Sequence, residues 1–299
     1  RDVMVDSSPQ IMRLEQEHHA SLWCSHLGIV YRARFSGSHP VRSAFLHVAT
    51  CSRGGWLRSR TLFELGEPVR LQMVIDAQMN EPYTSQNVLA QIDGGKYPEK
   101  IVALGAHLDS WDVGTGTLDD AAGVGIVVDA LKLIQDLGQR PDRSIQVILF
   151  AAEEIGLWGG RAWAETHQDN IENYQLAAES DFGTGPVYEI SARVTDKAWP
   201  VIEAIQTQLE PLGIALGGRS ASAGPDFLPM LPYGIVAIDL AQDGTHYFDY
   251  HHTENDTLDK VDPDALKQNA AAYAVLAWLA AQSPIDFGSG PALLTQEQK

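Results

Sequence analysis

Positive charge is the scarcest resource in this sequence. Its 21 Lys and Arg residues face 39 Asp and Glu, a formal net charge of −18 over 299 residues. Nucleic acid and anionic membrane surfaces are bound through basic patches, so this balance argues against both as partners. No run of about 18 or more uninterrupted apolar residues occurs, so no segment is expected to span a bilayer. Cysteine is nearly absent: Cys24 and Cys51 can form one disulfide or none, too few to fix a redox compartment. Internal repeats and low-complexity tracts are missing as well. The chain starts at Arg1 with neither Met nor an apolar signal core, the form expected of a processed or truncated chain. What is present is an ordinary 44% hydrophobic content, enough for one large core or for one domain with a small appendage.

The most informative stretch is IVALGAHLDSWDVGTGTLDDAAGVG, residues 101–125. A short aliphatic run that stops at His107 and Asp109 reads as a buried strand whose carboxyl end opens onto a loop. The Gly-rich loop then delivers Asp119 and Asp120 to the start of an apolar helix. In open α/β sheets, ligands sit beyond the carboxyl ends of the strands.

The rest of the chain supplies further strand ends. Residues 1–66 read poorly; SSPQIMRLEQEHHASLW has a pattern compatible with a helix, and His18, His19 and Cys24 lack the paired spacing of a structural zinc site. They read more simply as surface or packing residues. VRLQMVIDA and SQNVLAQIDG read as an antiparallel strand pair. A helix is expected from the AAGVG run to Gly138, then a strand SIQVILFAAEE, a short helix over about 157–167, and a strand NYQLAAESDFGTG. A helix over about 197–212 follows, then a Gly/Pro/Ser-rich loop at 213–234, a last strand GIVAIDLA, and a closing helix over about 263–282. Strands alternating with helices imply an α/β fold: three α/β/α layers around a mostly parallel sheet, with antiparallel strands at one edge. The expected organisation is an N-terminal segment 1–66, a catalytic domain 67–285 and a tail 286–299.

Acids and histidines thus collect at four strand ends: His107 and Asp109; Glu153 and Glu154; Asp181; His251 and His252. Each has an ordinary alternative, as a packing histidine, a helix-capping Asp or a solvated acidic edge. Carboxylates gathered at one sheet edge, however, repel one another and lose hydration unless cations compensate. Two histidines and three carboxylates, with no thiolate among them, suit two catalytic zinc ions that keep open positions for water.

Together HLDSWD, LDDAAG, FAAEE, ESD and HHTENDT resemble the co-catalytic zinc exopeptidases of the aminopeptidase type, most closely the carboxypeptidase Q-like branch, over residues 85–282. Any one motif is weak; five in order are specific. The resemblance implies two Zn²⁺ per chain, bridged by Asp119 and by a water or hydroxide, with His107, Glu154, Asp181 and His252 as the other ligands. It implies Glu153 as general base and Asp109 as the carboxylate that fixes the tautomer of His107. Relatives often place Tyr before the last His ligand; here His251 stands there, read either as an oxyanion donor or as a bystander. GGRSASAGPDF resembles the substrate loop, with Asp226 either meeting a substrate amine or capping a helix. Asp120 is expected to cap the helix or orient Asp119, and His246 to be structural.

The implied activity is hydrolysis of dipeptides or short peptides, in a secreted or periplasmic setting, by a monomer or a homodimer. Two other readings stay open: a single-zinc glutaminyl cyclase-like acyltransferase and a non-catalytic peptide-binding relative. Residues 1–66 match neither the extra catalytic helices nor the protease-associated domain of the family, so a shortened remnant of the latter is expected there.

Overall fold

The computed structural model describes residues 84–111 and 113–297, and before them five short strands. The chain divides into two compact units, Arg1–Thr84 and Ser85–Lys299. In the first, β1 (Val3–Ser7) pairs antiparallel with β2 (Gln10–Leu14) and parallel with β5 (Leu71–Gln72). Strands β3 (Trp23–Ser25) and β4 (Gly28–Val30) form a hairpin. Gln10–Leu14 is therefore a strand where the sequence suggests a helix. His18, His19 and Cys51 lie outside the described residues.

The second unit is built on a seven-stranded sheet. Its strands are β6 (Val88–Ile92), β7 (Tyr97–His107), β8 (Arg143–Phe150), β9 (Tyr174–Glu179), β10 (Val187–Arg193), β11 (Ala215–Leu216) and β12 (Ala237–Gln242), in the order β11-β10-β12-β9-β7-β8-β6. The four central strands β12, β9, β7 and β8 run parallel, and β6 pairs antiparallel with β8 at one edge. The partner of β6 is thus the 143–150 strand and not the 69–77 segment that sequence texture suggests. Towards the opposite edge β10 pairs antiparallel with β12, and the edge strand β11 pairs parallel with β10. Strand β10 escapes a sequence reading because a register shift between Val187 and Glu189 breaks its two-residue alternation.

Alternation along the central strands assigns them to two cores. Val102, Leu104 and Ala106 face one side with Ile145, Val147, Leu176 and Ala178. There they meet α1 (Ala122–Asp136), α3 (Trp199–Leu209) and α5 (Pro263–Gln282). Ala103, Ile148, Phe150, Tyr174 and Ala177 face the other side, against α2 (Trp158–His167) and the 3₁₀ segment Pro225–Tyr233. This is the expected three-layer α/β/α fold. No helix among the described residues is long and apolar enough to cross a membrane. Two further helices, α4 (Tyr247–Tyr250) and α6 (Pro291–Glu297), complete the unit. The segment after residue 285 is no loose tail, since Phe287 and Leu293 are buried in the first core.

The long helix α5 is fixed at both ends. Asp262 caps it by accepting the N–H groups of Asp264 and Ala265, with Pro263 in the first turn. At the other end the guanidinium of Arg143, only 4% exposed, donates to the carbonyls of Ala281 and Ser283. Replacing Arg143 by Met leaves those buried carbonyls without a charged donor at the negative helix end. The expected cost is about 2 to 3 kcal/mol of stability, read from the denaturant midpoint. An unchanged midpoint would mean that the guanidinium is dispensable to the fold.

Candidate metal centre

The parallel register sets the carboxyl ends of β7, β8 and β9 side by side, with His107 opposite Phe150 and Gly105 opposite Glu179, while β12 starts opposite Ala177 and runs on past the end of β9. From β7 the chain steps to β8 on one side and then to β9 on the other, a topological switch point where an α/β sheet opens a crevice. Among the described residues, the four non-glycine positions with left-handed φ are Ala152, Leu157, Ala223 and His252, all in loops around this crevice. Such conformations cost about 1 to 3 kcal/mol each and persist where the surroundings enforce them.

His107, at the end of β7, is fully buried. Its Nε2 lies 3.2 Å from Asp119 Oδ1 and 3.4 Å from Asp181 Oδ1. Its Nδ1 lies 2.9 Å from the main-chain carbonyl of Asp109, while the Asp109 carboxylate stands off at 3.7 Å. At hydrogen-bond distance it is therefore the carbonyl of Asp109, and not its carboxylate, that faces His107 Nδ1. Its carboxylate instead accepts the N–H groups of Glu153 (2.9 Å) and Glu154 (3.2 Å), anchoring the turn that carries both acids.

On the other side of Asp119, its Oδ2 is 3.2 Å from His252 Nε2 and 3.3 Å from His251 Nε2. Glu154 Oε2 is 2.7 Å from the same His252 nitrogen. His251 and His252 stack at 3.7 Å, and Trp111 stacks on the far face of the pair at 4.7 Å from His252. His251 therefore points its Nε2 at the shared carboxylate. Two groups, Asp119 with His251 and His252, and His107 with Asp120 and Asp181, each place one ligand atom per residue within 4.8 Å of one another.

Asp120 has little left to give a metal: one oxygen accepts the His107 N–H and the other the Gly123 N–H at the start of α1, a capping role. By contrast Asp119 Oδ2, Glu154 Oε1 and Asp181 Oδ1 are buried without a hydrogen bond. Orphaned carboxylate oxygens beside imidazole nitrogens are the donors a zinc pair needs, so the residues present fit that group.

Three residues that sequence reading left unassigned support the centre. Asp256, 3% exposed, accepts the N–H groups of Leu118 and Asp119. Trp111 backs His252, as above. Glu179, buried, accepts the N–H of Asp226 at 2.9 Å. A Cβ at Gly224, where φ is +102°, would meet Glu179 Oε2 at 2.3 Å, which explains the glycine. All three lie inside the motifs HLDSWD, ESD and HHTENDT, but nothing in one sequence separates them from exposed neighbours. Asp226 itself is 1% exposed and caps nothing with its side chain, so a substrate amine reaches it only if its loop opens. His246 is surface-exposed and pairs with Asp249.

The sequence model of peptidase family M28 matches residues 87–277, well over half of the chain. This chain belongs to peptidase family M28. It is 36% identical over 216 residues to carboxypeptidase Q of Bos taurus, covering 72% of this chain and 46% of that protein. The crystal structure of a peptidase M28 precursor from Shewanella amazonensis superposes with a TM-score of 0.66 at 53% identity, over 69% of this chain and 46% of that one. An aminopeptidase from Aneurinibacillus sp. strain AM-1, at 23% identity and a TM-score of 0.52 over 69% of this chain and 50% of that one, shares the fold. The chain spans about half the length of the curated relatives it matches.

In this M28 centre the metal-free protonation states follow from burial and neighbours. Burial pushes Glu153 up to about 8, with Asp181, Asp226 and Glu154 adding to it. Burial also pushes Asp226 up to about 7, aided by Asp181 and Asp109. For His252 burial disfavours the cation, yet Asp119 and Glu154 hold it at about 9. Asp119 is pulled the other way, because His107 and His252 outweigh the cost of burial and keep its carboxyl below the usual range.

Glu153, Asp226 and His252 hold protons in the folded state that the unfolded chain has released. Their contribution is full below the unfolded value and is lost as pH rises through the folded one. For the two acids that window runs from about 4 to about 8, and for His252 from about 6.5 to about 9. The lowered Asp119 acts only in more acidic solution. The metal-free protein is therefore expected to lose thermal stability steadily from about pH 5 to pH 9 in chelator. A midpoint that rises across that range would contradict these assignments.

Proposed function

We propose that this chain carries the catalytic part of a zinc-dependent exopeptidase that hydrolyses dipeptides or short peptides. The observation that carries the reading is the position of Asp119, whose two oxygens each lie 3.2 Å from a different imidazole, His107 and His252. His107 and Asp181 would hold one zinc ion, His252 and Glu154 the other, and Asp119 both. When bound, the pair lowers the pKa of water toward neutrality and polarises a carbonyl.

The protein's own groups do the rest. Glu153 takes the proton of the attacking water and passes it to the leaving amine, a role suited to a carboxylate whose burial brings its pKa near the working pH. Asp109 holds the main chain of Glu153 in place for that transfer. His251, which faces the same side of Asp119 as His252, is the available side-chain donor for the developing oxyanion. A secreted or periplasmic setting belongs to the same reading.

The test is zinc content measured together with turnover on a dipeptide panel. About two zinc ions per chain with turnover is the expected result. One zinc per chain would favour cyclase-like acyl transfer, and two zinc ions with peptide binding but no turnover would favour a binding protein. Zinc ligation requires the deprotonated ligands, so stabilisation by added zinc should grow over the same pH range in which the metal-free protein weakens.

A further inference from the structure

Beyond the residues that meet the metal, one buried carboxylate joins the two halves of the centre. Asp256 is four residues beyond His252 in the same loop, and it is 3% exposed. Its Oδ1 accepts the N–H of Leu118 at 2.6 Å and its Oδ2 the N–H of Asp119 at 3.2 Å. Both oxygens are thus taken up by main chain, which leaves it no role as a ligand. Its own carbonyl accepts the N–H (3.0 Å) and the hydroxyl (2.8 Å) of Thr115. Four hydrogen bonds therefore tie the loop that carries His252 to the loop that carries Asp119. The fit is close: a Cβ at Gly114 would meet the Thr253 carbonyl at 2.5 Å and the Asp256 carbonyl at 3.2 Å.

We propose that Asp256 is a positioning residue for the metal pair, holding the bridging carboxylate of Asp119 in register with His252. The reasoning is geometric. Asp119 can address two imidazoles only if its main chain is fixed relative to both. The His107 side is set by the end of β7, which is part of the sheet. On the His252 side no strand or long helix does this, and His252 itself has a left-handed φ of 57° that its surroundings must enforce. Asp256 supplies that constraint by binding the main chain of Asp119 directly. Charge-assisted hydrogen bonds from main-chain N–H to a buried carboxylate are the strong kind, and partners one step removed from a metal typically change its affinity 10- to 100-fold when removed.

This inference rests on Asp119 and His252 being metal ligands, so the unsubstituted chain must first be titrated with zinc. In Asp256→Asn, one acceptor is replaced by an amide donor facing a main-chain N–H. The expected result is a zinc dissociation constant raised about 10- to 100-fold, measured by competition with a chromogenic chelator on variant protein whose metal-free form still unfolds cooperatively. Gly114→Ala, whose Cβ would press on the Thr253 and Asp256 carbonyls while leaving the Asp256 carboxylate in place, should weaken zinc in the same direction, and it decides the matter if Asp256→Asn does not fold. Unchanged zinc affinity in either folded variant overturns the positioning role. No zinc binding by the unsubstituted chain overturns instead the reading of the site on which it rests.

Discussion

Glu153→Ala is expected to lower turnover of a cleavable dipeptide by about 100- to 10,000-fold while zinc content stays at the level of the unsubstituted chain. The two halves of that result have separate causes. Glu154 is the glutamate that meets a ligand imidazole, its Oε2 2.7 Å from His252 Nε2, so in this reading the removal of Glu153 takes no donor from the metal. What it removes is a half-buried carboxyl beside the centre whose pKa burial lifts to about 8. Glu153→Gln keeps the volume but cannot accept the proton, so it should lose as much as alanine does. A loss that appeared only in alanine would point to packing. Loss of zinc in both variants would exchange the roles of Glu153 and Glu154, since the ligand role of Glu154 is read from its 2.7 Å contact with His252.

The distinction between those two glutamates shows what a sequence can convey. Motif order places His107, Asp119, Glu154, Asp181 and His252 at one sheet edge, because parallel strands interrupted by helices must end together. It also places α1 and α5, whose apolar residues recur at helical spacing. It does not reveal β10, where a bulge breaks the alternation, nor the burial of Phe287 and Leu293 in a stretch too short to show periodicity. Asp109 illustrates a finer limit. Its presence near His107 is legible, but whether its carbonyl or its carboxylate makes the contact depends on a 2.9 Å against a 3.7 Å distance that only coordinates contain. Asp226 and Asp256 look alike in sequence, each an Asp in a polar loop. One proves to be a buried group without hydrogen bonds to its carboxylate, the other a carboxylate fully used by main chain.

The largest effect is expected at Asp119. Asp119→Ala should abolish measurable turnover and lower zinc content by more than one ion per chain, whereas Asp181→Asn should cost about one ion, because Asp181 approaches only the His107 side. The asymmetry follows from charge as well as geometry. Two dications bound side by side would repel each other strongly, and in the proposed arrangement the Asp119 carboxylate would be the group that offsets this. Without it, each remaining pair, His107 with Asp181 and His252 with Glu154, offers two donors where a zinc site needs three or more. Asp120 cannot substitute, since its oxygens already serve the N–H groups of His107 and Gly123. Zinc content by metal analysis, read beside turnover on the same preparations, separates the cases. If Asp119→Ala kept two zinc ions, the bridging assignment would fail and His251, whose Nε2 lies on the same side as His252, would be the donor to examine in its place. If it kept one, the remaining ion would identify which half of the centre binds more tightly on its own.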